Sequence, residues 1–184
     1  MNWVIVLPIA AFLILVILFV LFVRRAGRLV AATRDVERFR RQVADLAGRI
    51  ELSLGEICSR IDAVRRGQLA STAVTGDLTA SLEAVERYAD EGRALRPPRT
   101  GDAIRDGIVA ELERAKRALE MVEHGVGIQV AARAGSRELE SQTAINRGNL
   151  TILHAREAIA RQAALAAELV PLDPTHRSAA RRSV

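Results

Sequence analysis

Three histidines and one cysteine are the side chains of this chain best suited to holding a metal or attacking a substrate, and their spacing argues against both. In di-iron helical bundles the diagnostic element is Glu-x-x-His, supplied by two of the helices. Neither His124 nor His154 has Glu three residues before it. What stands there instead is Glu120 and Glu123 before His124, and Glu157 after His154, while His176 falls near the C-terminus. Cys58 has no His and no second Cys close by in sequence, so thiolate activation and zinc binding lack their usual partners. No Gly-x-x-x-x-Gly-Lys loop, Gly-x-Ser-x-Gly elbow or strand-borne dinucleotide fingerprint occurs. We therefore assign no catalytic residue, no cofactor and no metal ligand, and expect a protein that is not an enzyme.

Polar residues at helical spacing offer a different kind of chemistry. Ser141-Gln142-Thr143 and Asn146-Arg147-Gly148-Asn149 interrupt an otherwise apolar pattern, and Asn149 falls on the stripe that joins Ile145 to Ile152. A buried amide at such a position can fix the register of packed helices at a cost in stability. The same island could equally dock a partner or form a solvated turn of helix.

Four of the six aromatic residues (Trp3, Phe12, Phe19, Phe22) lie in the first 22 positions, which leaves Phe39 and Tyr88 for all the rest. That excludes a platform for stacking bases, and no nucleic-acid partner is expected. The net charge of +5 is unevenly spread. Residues 24–66 carry 11 Arg against 6 acids, residues 67–170 carry 13 basic against 15 acidic groups, and residues 171–184 carry 3 Arg against Asp173. All but one of the 27 basic residues are Arg, beside abundant Ala, a bias of GC-rich coding rather than a binding code.

The elements that must carry these residues are helical, since no run of period-2 alternation rich in Val, Thr and Tyr is present. Residues 3–23 read WVIVLPIAAFLILVILFVLFV without a charge, and about 20 apolar residues let a helix cross the hydrocarbon of a bilayer. A cleaved signal peptide would want a basic n-region and small residues at a cleavage site, whereas Met1-Asn2 is uncharged and Arg24-Arg25 follow the run. Arg24, Arg25 and Arg28 place the C-terminal flank on the cytoplasmic side. The expectation is a single-pass cell-membrane protein, N-terminus outside and the remainder cytoplasmic, a setting that suits a lone thiol.

From there a juxtamembrane amphipathic helix over 24–66 is expected, with Val36, Val43, Ile50, Ile57 and Val64 at seven-residue spacing. All five are β-branched, as the a position of parallel two-stranded coiled coils prefers, so this stripe is our expected partner interface, together with Asn149. Helices over 76–95, 101–134 and 136–170 follow, with Pro97-Pro98 ending the first of them and Pro171 and Pro174 the last. Leu139, Leu150, Leu153 and Leu169 are expected to widen the buried face of the last helix, and Gly125-Val126-Gly127 to weaken the one before it. Residues 171–184 are expected to be a basic disordered tail whose Arg181 and Arg182, with Arg24, Arg25 and Arg28, face anionic lipid.

The fold class that results is all-α: one N-terminal transmembrane helix continuing into a cytoplasmic antiparallel bundle of about four coiled-coil-like helices. At ~1.5 Å per residue the juxtamembrane helix extends roughly 60 Å and the next only about 28 Å, so part of the former must find another cover, a second copy included. The function expected is a membrane-anchored scaffold or adaptor that presents a helical surface to protein partners. Its rival is a signalling or regulatory accessory that relays anchor-helix motion into the bundle, with a metal- or ligand-binding helical enzyme third.

Overall fold

A computed structural model describes the backbone of residues 3–131 and 137–170, and the side chains of residues 15–19, 33–131 and 137–170. Four helices account for most of it: α1 (Trp3–Arg65), α2 (Thr75–Ala94), α3 (Asp102–Ala131) and α4 (Glu138–Ala167). No strand occurs among the described residues. Two compact units divide the chain, residues 39–169 and the two flanking segments, 1–38 with 170–184.

Within residues 39–169 the order of interhelical contacts sets the topology. Arg60 pairs with Asp77 and Arg49 with Glu91, so α2 runs back along α1. Arg93 pairs with Glu113 and Lys116 with Glu86, so α3 reverses again. The space beside Gly125 is filled by Ile145 and that beside Gly148 by Val122, which turns α4 antiparallel to α3. Finally Arg156 pairs with Glu51, and Asn149 with Asp62, closing α4 against α1. This is an antiparallel four-helix bundle.

One hydrophobic core runs through it. Val43, Leu46, Ile50, Leu54, Ile57, Ile61 and Val64 of α1 meet Leu78 and Val85 of α2, Ile108, Leu112, Leu119 and Val122 of α3, and Ile145, Ile152 and Ile159 of α4. Every step along α1 is three or four residues, which keeps the stripe on one side of a helix with 3.6 residues per turn. The helix stops at a Schellman turn. Gly67 takes φ +69°, which residues with a Cβ rarely adopt, and the amides of Gly67 and Gln68 bond back to the carbonyls of Val64 and Ala63.

Two expectations need correction. The seven-residue stripe of α1 faces inward: Val43, Ile50, Ile57 and Val64 are core residues, so the bundle itself consumes the face assigned to a partner. Val36 is also buried, outside that core cluster. Gly125-Val126-Gly127 does not interrupt α3, which is continuous to Ala131, and Gly125 lies against α4, where its missing side chain is filled by Ile145. Leu139 and Leu150 do not widen the buried face of α4 but point to solvent, since that face is built from Ser141, Ile145, Gly148, Ile152, Ala155 and Ile159.

The expected membrane span reads differently. Its backbone belongs to α1, but among the described residues no helix is long and apolar enough to cross a membrane, and of the run 3–23 only Leu15–Phe19 have described side chains. The helix ends expected at 134 and 136 and the tail 171–184, with His176, Arg181 and Arg182, lie outside the described residues.

Candidate functional site

The polar island of α4 is drawn toward α1. Asn149 sits on the core-facing stripe at 2% exposure, and its amide nitrogen donates to Asp62 Oδ1 at 3.0 Å. The same carboxylate oxygen accepts from Arg65 Nη1 at 2.6 Å, and Arg65 Nε in turn donates to Asn146 Oδ1 at 2.5 Å. Two residues of α1 and two of α4 therefore form one network across the end of the bundle. Asn149 Oδ1 has no hydrogen-bond partner among the described residues. A buried carbonyl left unpaired costs stability, which the bond of the same amide to a carboxylate offsets.

Two more ties join the same helices. Arg156 Nε meets Glu51 at 3.0 Å, and Arg40 donates to the carbonyl of Leu169. On the opposite flank of α1, Arg49 bonds Glu91 and lies 5.7 Å above the ring of Tyr88, a cation–π contact that steadies α2. Cys58 lies between these contacts, 4% exposed. Burial pushes its thiol up to about 11, opposed by the guanidinium of Arg156 and reinforced by the carboxylates of Asp62 and Glu51. Near pH 8 its thiolate should be depleted about 100-fold relative to an ordinary cysteine, and thiolate is the reactive form. We expect a maleimide at pH 8 to leave Cys58 essentially unmodified in the native chain and to react fully in guanidinium; fast native labelling would show that the α1–α4 packing at Cys58 is wrong. Because the folded thiol binds its proton more tightly than the unfolded one, stability should fall as pH rises from about 9 through 11.

No family model, no curated protein and no solved structure matches this chain.

His124 and His154 take no part in that network. His124 and His154 are exposed, and among the described residues no three His, Cys, Asp or Glu side chains gather as a metal site would require. His124 instead borders an open groove of about 460 Å³ between α3 and α4, lined by Met121, Leu139, Glu140, Thr143, Ala144 and Arg147. Arg137 donates twice to Glu140, at 2.9 Å each, and holds that carboxyl below the usual carboxylate range, with a smaller contribution from His124. Leu139, at 79% exposure, and Met121 are the apolar side chains left uncovered there. Sequence reasoning missed this groove. The readable signal was Leu139 standing two residues before Ser141, off the line of the small residues that pack.

Of the residues expected to meet a partner, Asn149 and the α1 stripe are thus interior, and the exposed apolar surface lies elsewhere. Arg24, Arg25 and Arg28 lie on the backbone of α1 with side chains outside the described residues.

Proposed function

We propose that this chain is a single-pass membrane protein whose bundle serves as a cytoplasmic scaffold or adaptor, presenting a helical surface to protein partners. One observation carries the anchor. Leu15, Val16, Ile17, Leu18 and Phe19 are consecutive on α1 and all exposed, from 39% to 65%. Five successive residues turn through more than a full turn of helix, so this stretch is apolar and uncovered on every side, a pattern that water disfavours and hydrocarbon accepts. The uncharged run 3–23 around it and the arginines that follow support a span with its C-terminal side in the cytoplasm. The bundle's surface on offer is the α3–α4 groove with Met121 and Leu139, where large apolar groups are left in solvent.

A second reading draws on α1 itself. One helix holds both the apolar run and the inner stripe of the bundle, so a movement of the anchor along its axis would be carried toward the bundle core. On this reading the protein is a signalling or regulatory accessory.

Anchoring and orientation are tested together. The chain should stay in the membrane pellet through alkaline carbonate extraction, and deletion of residues 1–23 should release it. With Cys58→Ala and the exposed Leu52→Cys combined, an impermeant maleimide should label only permeabilised spheroplasts, since Cys58 itself is too buried to report. Release of the full chain by carbonate would remove the anchor from the proposal, and labelling of intact spheroplasts would reverse its orientation.

A further inference from the structure

The α3–α4 groove joins exposed apolar side chains to an imbalance of charge. Every arginine and lysine on these two helices has a carboxylate partner except two. Arg105 pairs with Asp106, Arg114 with Glu111, Lys116 with Glu86, Arg156 with Glu51 and Arg161 with Glu157. Arg117 and Arg147 are exposed and have none among the described residues. Both belong to this groove. Arg147 lines it, and Arg117 stands one turn before Met121 on the same edge of α3. The approach of Gly148 to Ala118 and Val122 sets the two arginines at one level, on opposite walls.

The acids nearby do not cancel them. Glu140 also lines the groove, but Arg137 donates to both of its oxygens and balances its charge. Glu120 and Glu123 stand seven residues beyond Glu113 and Lys116, through which α3 pairs with α2, so they belong to the other side of the helix. Two uncompensated guanidinium groups therefore flank Met121, and each can hold a carboxylate through two parallel bonds.

What fits such a groove brings apolar groups and carboxylates together. A small anion would leave Met121 and Leu139 in water, whereas a trench between two antiparallel helices accepts a third helix lengthwise. From Arg147 back to Leu139 is eight residues, ~12 Å or about two turns of helix. We propose that the α3–α4 groove docks an acidic amphipathic helix of a partner protein, its apolar stripe on Met121 and Leu139 and its carboxylates between Arg117 and Arg147. This rests on the reading of the bundle as a surface presented to protein partners and names the chemistry of that partner.

The test uses the full chain in phosphatidylcholine nanodiscs and a fluorescein-labelled helical peptide of about four turns, with Leu at i, i+4 and i+7 and Glu flanking that stripe. Its anisotropy should rise on titration, and that of a version with Lys for every Glu should not. Arg117→Glu combined with Arg147→Glu breaks no ion pair among the described residues, so helix content should hold. This double variant should bind the acidic peptide about tenfold more weakly, the scale of two exposed ion pairs, and should now bind the Lys version. Leu139→Ser, at a site 79% exposed, should weaken the acidic peptide at least as much without loss of helix. If the double reversal loses helix, Arg117→Gln with Arg147→Gln is read in its place. No binding of the acidic peptide to the parent, or equal binding to parent and double variant, overturns the proposal. Phosphatidylglycerol vesicles that bind the parent but not the double variant, with no peptide bound, would put a lipid surface in the groove and overturn it too. Release of the chain by carbonate would fail the anchor and leave the peptide result standing, whereas equal peptide binding fails the groove and leaves the anchor.

Discussion

Replacing Val43 and Ile50 together by aspartate should leave no folded bundle. Both positions are at 0% exposure in the core shared by all four helices. An aspartate kept there must be neutralised, which at pH 7 costs about 4 kcal/mol for a group that ordinarily titrates near 3.9. It also forfeits about 1.5–3 kcal/mol of apolar burial. The pair together should remove roughly 11–14 kcal/mol, against about 5–15 kcal/mol for the total stability of a domain. Circular dichroism and sedimentation on a fragment of residues 30–174 read the result. The expected outcome is loss of helix with no folded monomer left. A wild-type oligomer converted into a folded helical monomer would instead place these residues in a seam between chains, and the core described here would be wrong.

That expectation reverses what the heptad spacing alone implies, and the reason is physical. Spacing shows which side of a helix is apolar and says nothing of what covers it, because the inside of a monomeric bundle and a coiled-coil seam need the same stripe. The all-helical bundle was legible, since Gly67 and Pro97-Pro98 are strong stops and the stripes are long. The core partners Leu112 and Leu119, and Ile152 and Ile159, likewise stand seven residues apart on their helices. What was not read is the second line of α4. Ser141, Gly148 and Ala155 also repeat every seven residues, out of phase with Ile145, Ile152 and Ile159, and together they make the face that α4 buries. Small residues carry little hydropathy, so the eye follows Leu139 and Leu150 instead, and these are exposed. A buried amide at Asn149 was one of three readings the spacing left open, and its partner Asp62 lies 87 positions away where no local pattern could point to it. The groove at Met121 and Leu139 depends on the same α3–α4 crossing and was hidden with it.

The small-residue line makes a prediction in which the same substitution has opposite signs at two glycines. A Cβ on Gly148 would lie 2.5 Å from Val122 Cγ2 and 2.7 Å from the carbonyl oxygen of Ala118. The side chain could turn aside, but the backbone carbonyl belongs to a helix that cannot move without opening the Ser141–Gly125 contact, where the Ser141 hydroxyl donates to the Gly125 carbonyl at 2.7 Å. Gly148→Ala should therefore lose about 1–3 kcal/mol to overpacking, even after alanine's better helix propensity is counted. Gly127 is also mid-helix, but exposed, and a Cβ there meets nothing within 4 Å. Gly127→Ala should gain about 0.5–1 kcal/mol, since the helix keeps its geometry and the unfolded chain loses freedom. Urea unfolding of the two variants beside the parent reads the difference as midpoints displaced in opposite directions. If both midpoints rise alike, α4 does not approach α3 at Gly148, and with that contact gone the buried face of α4, the position of Asn149 and the α3–α4 groove would all have to be redrawn.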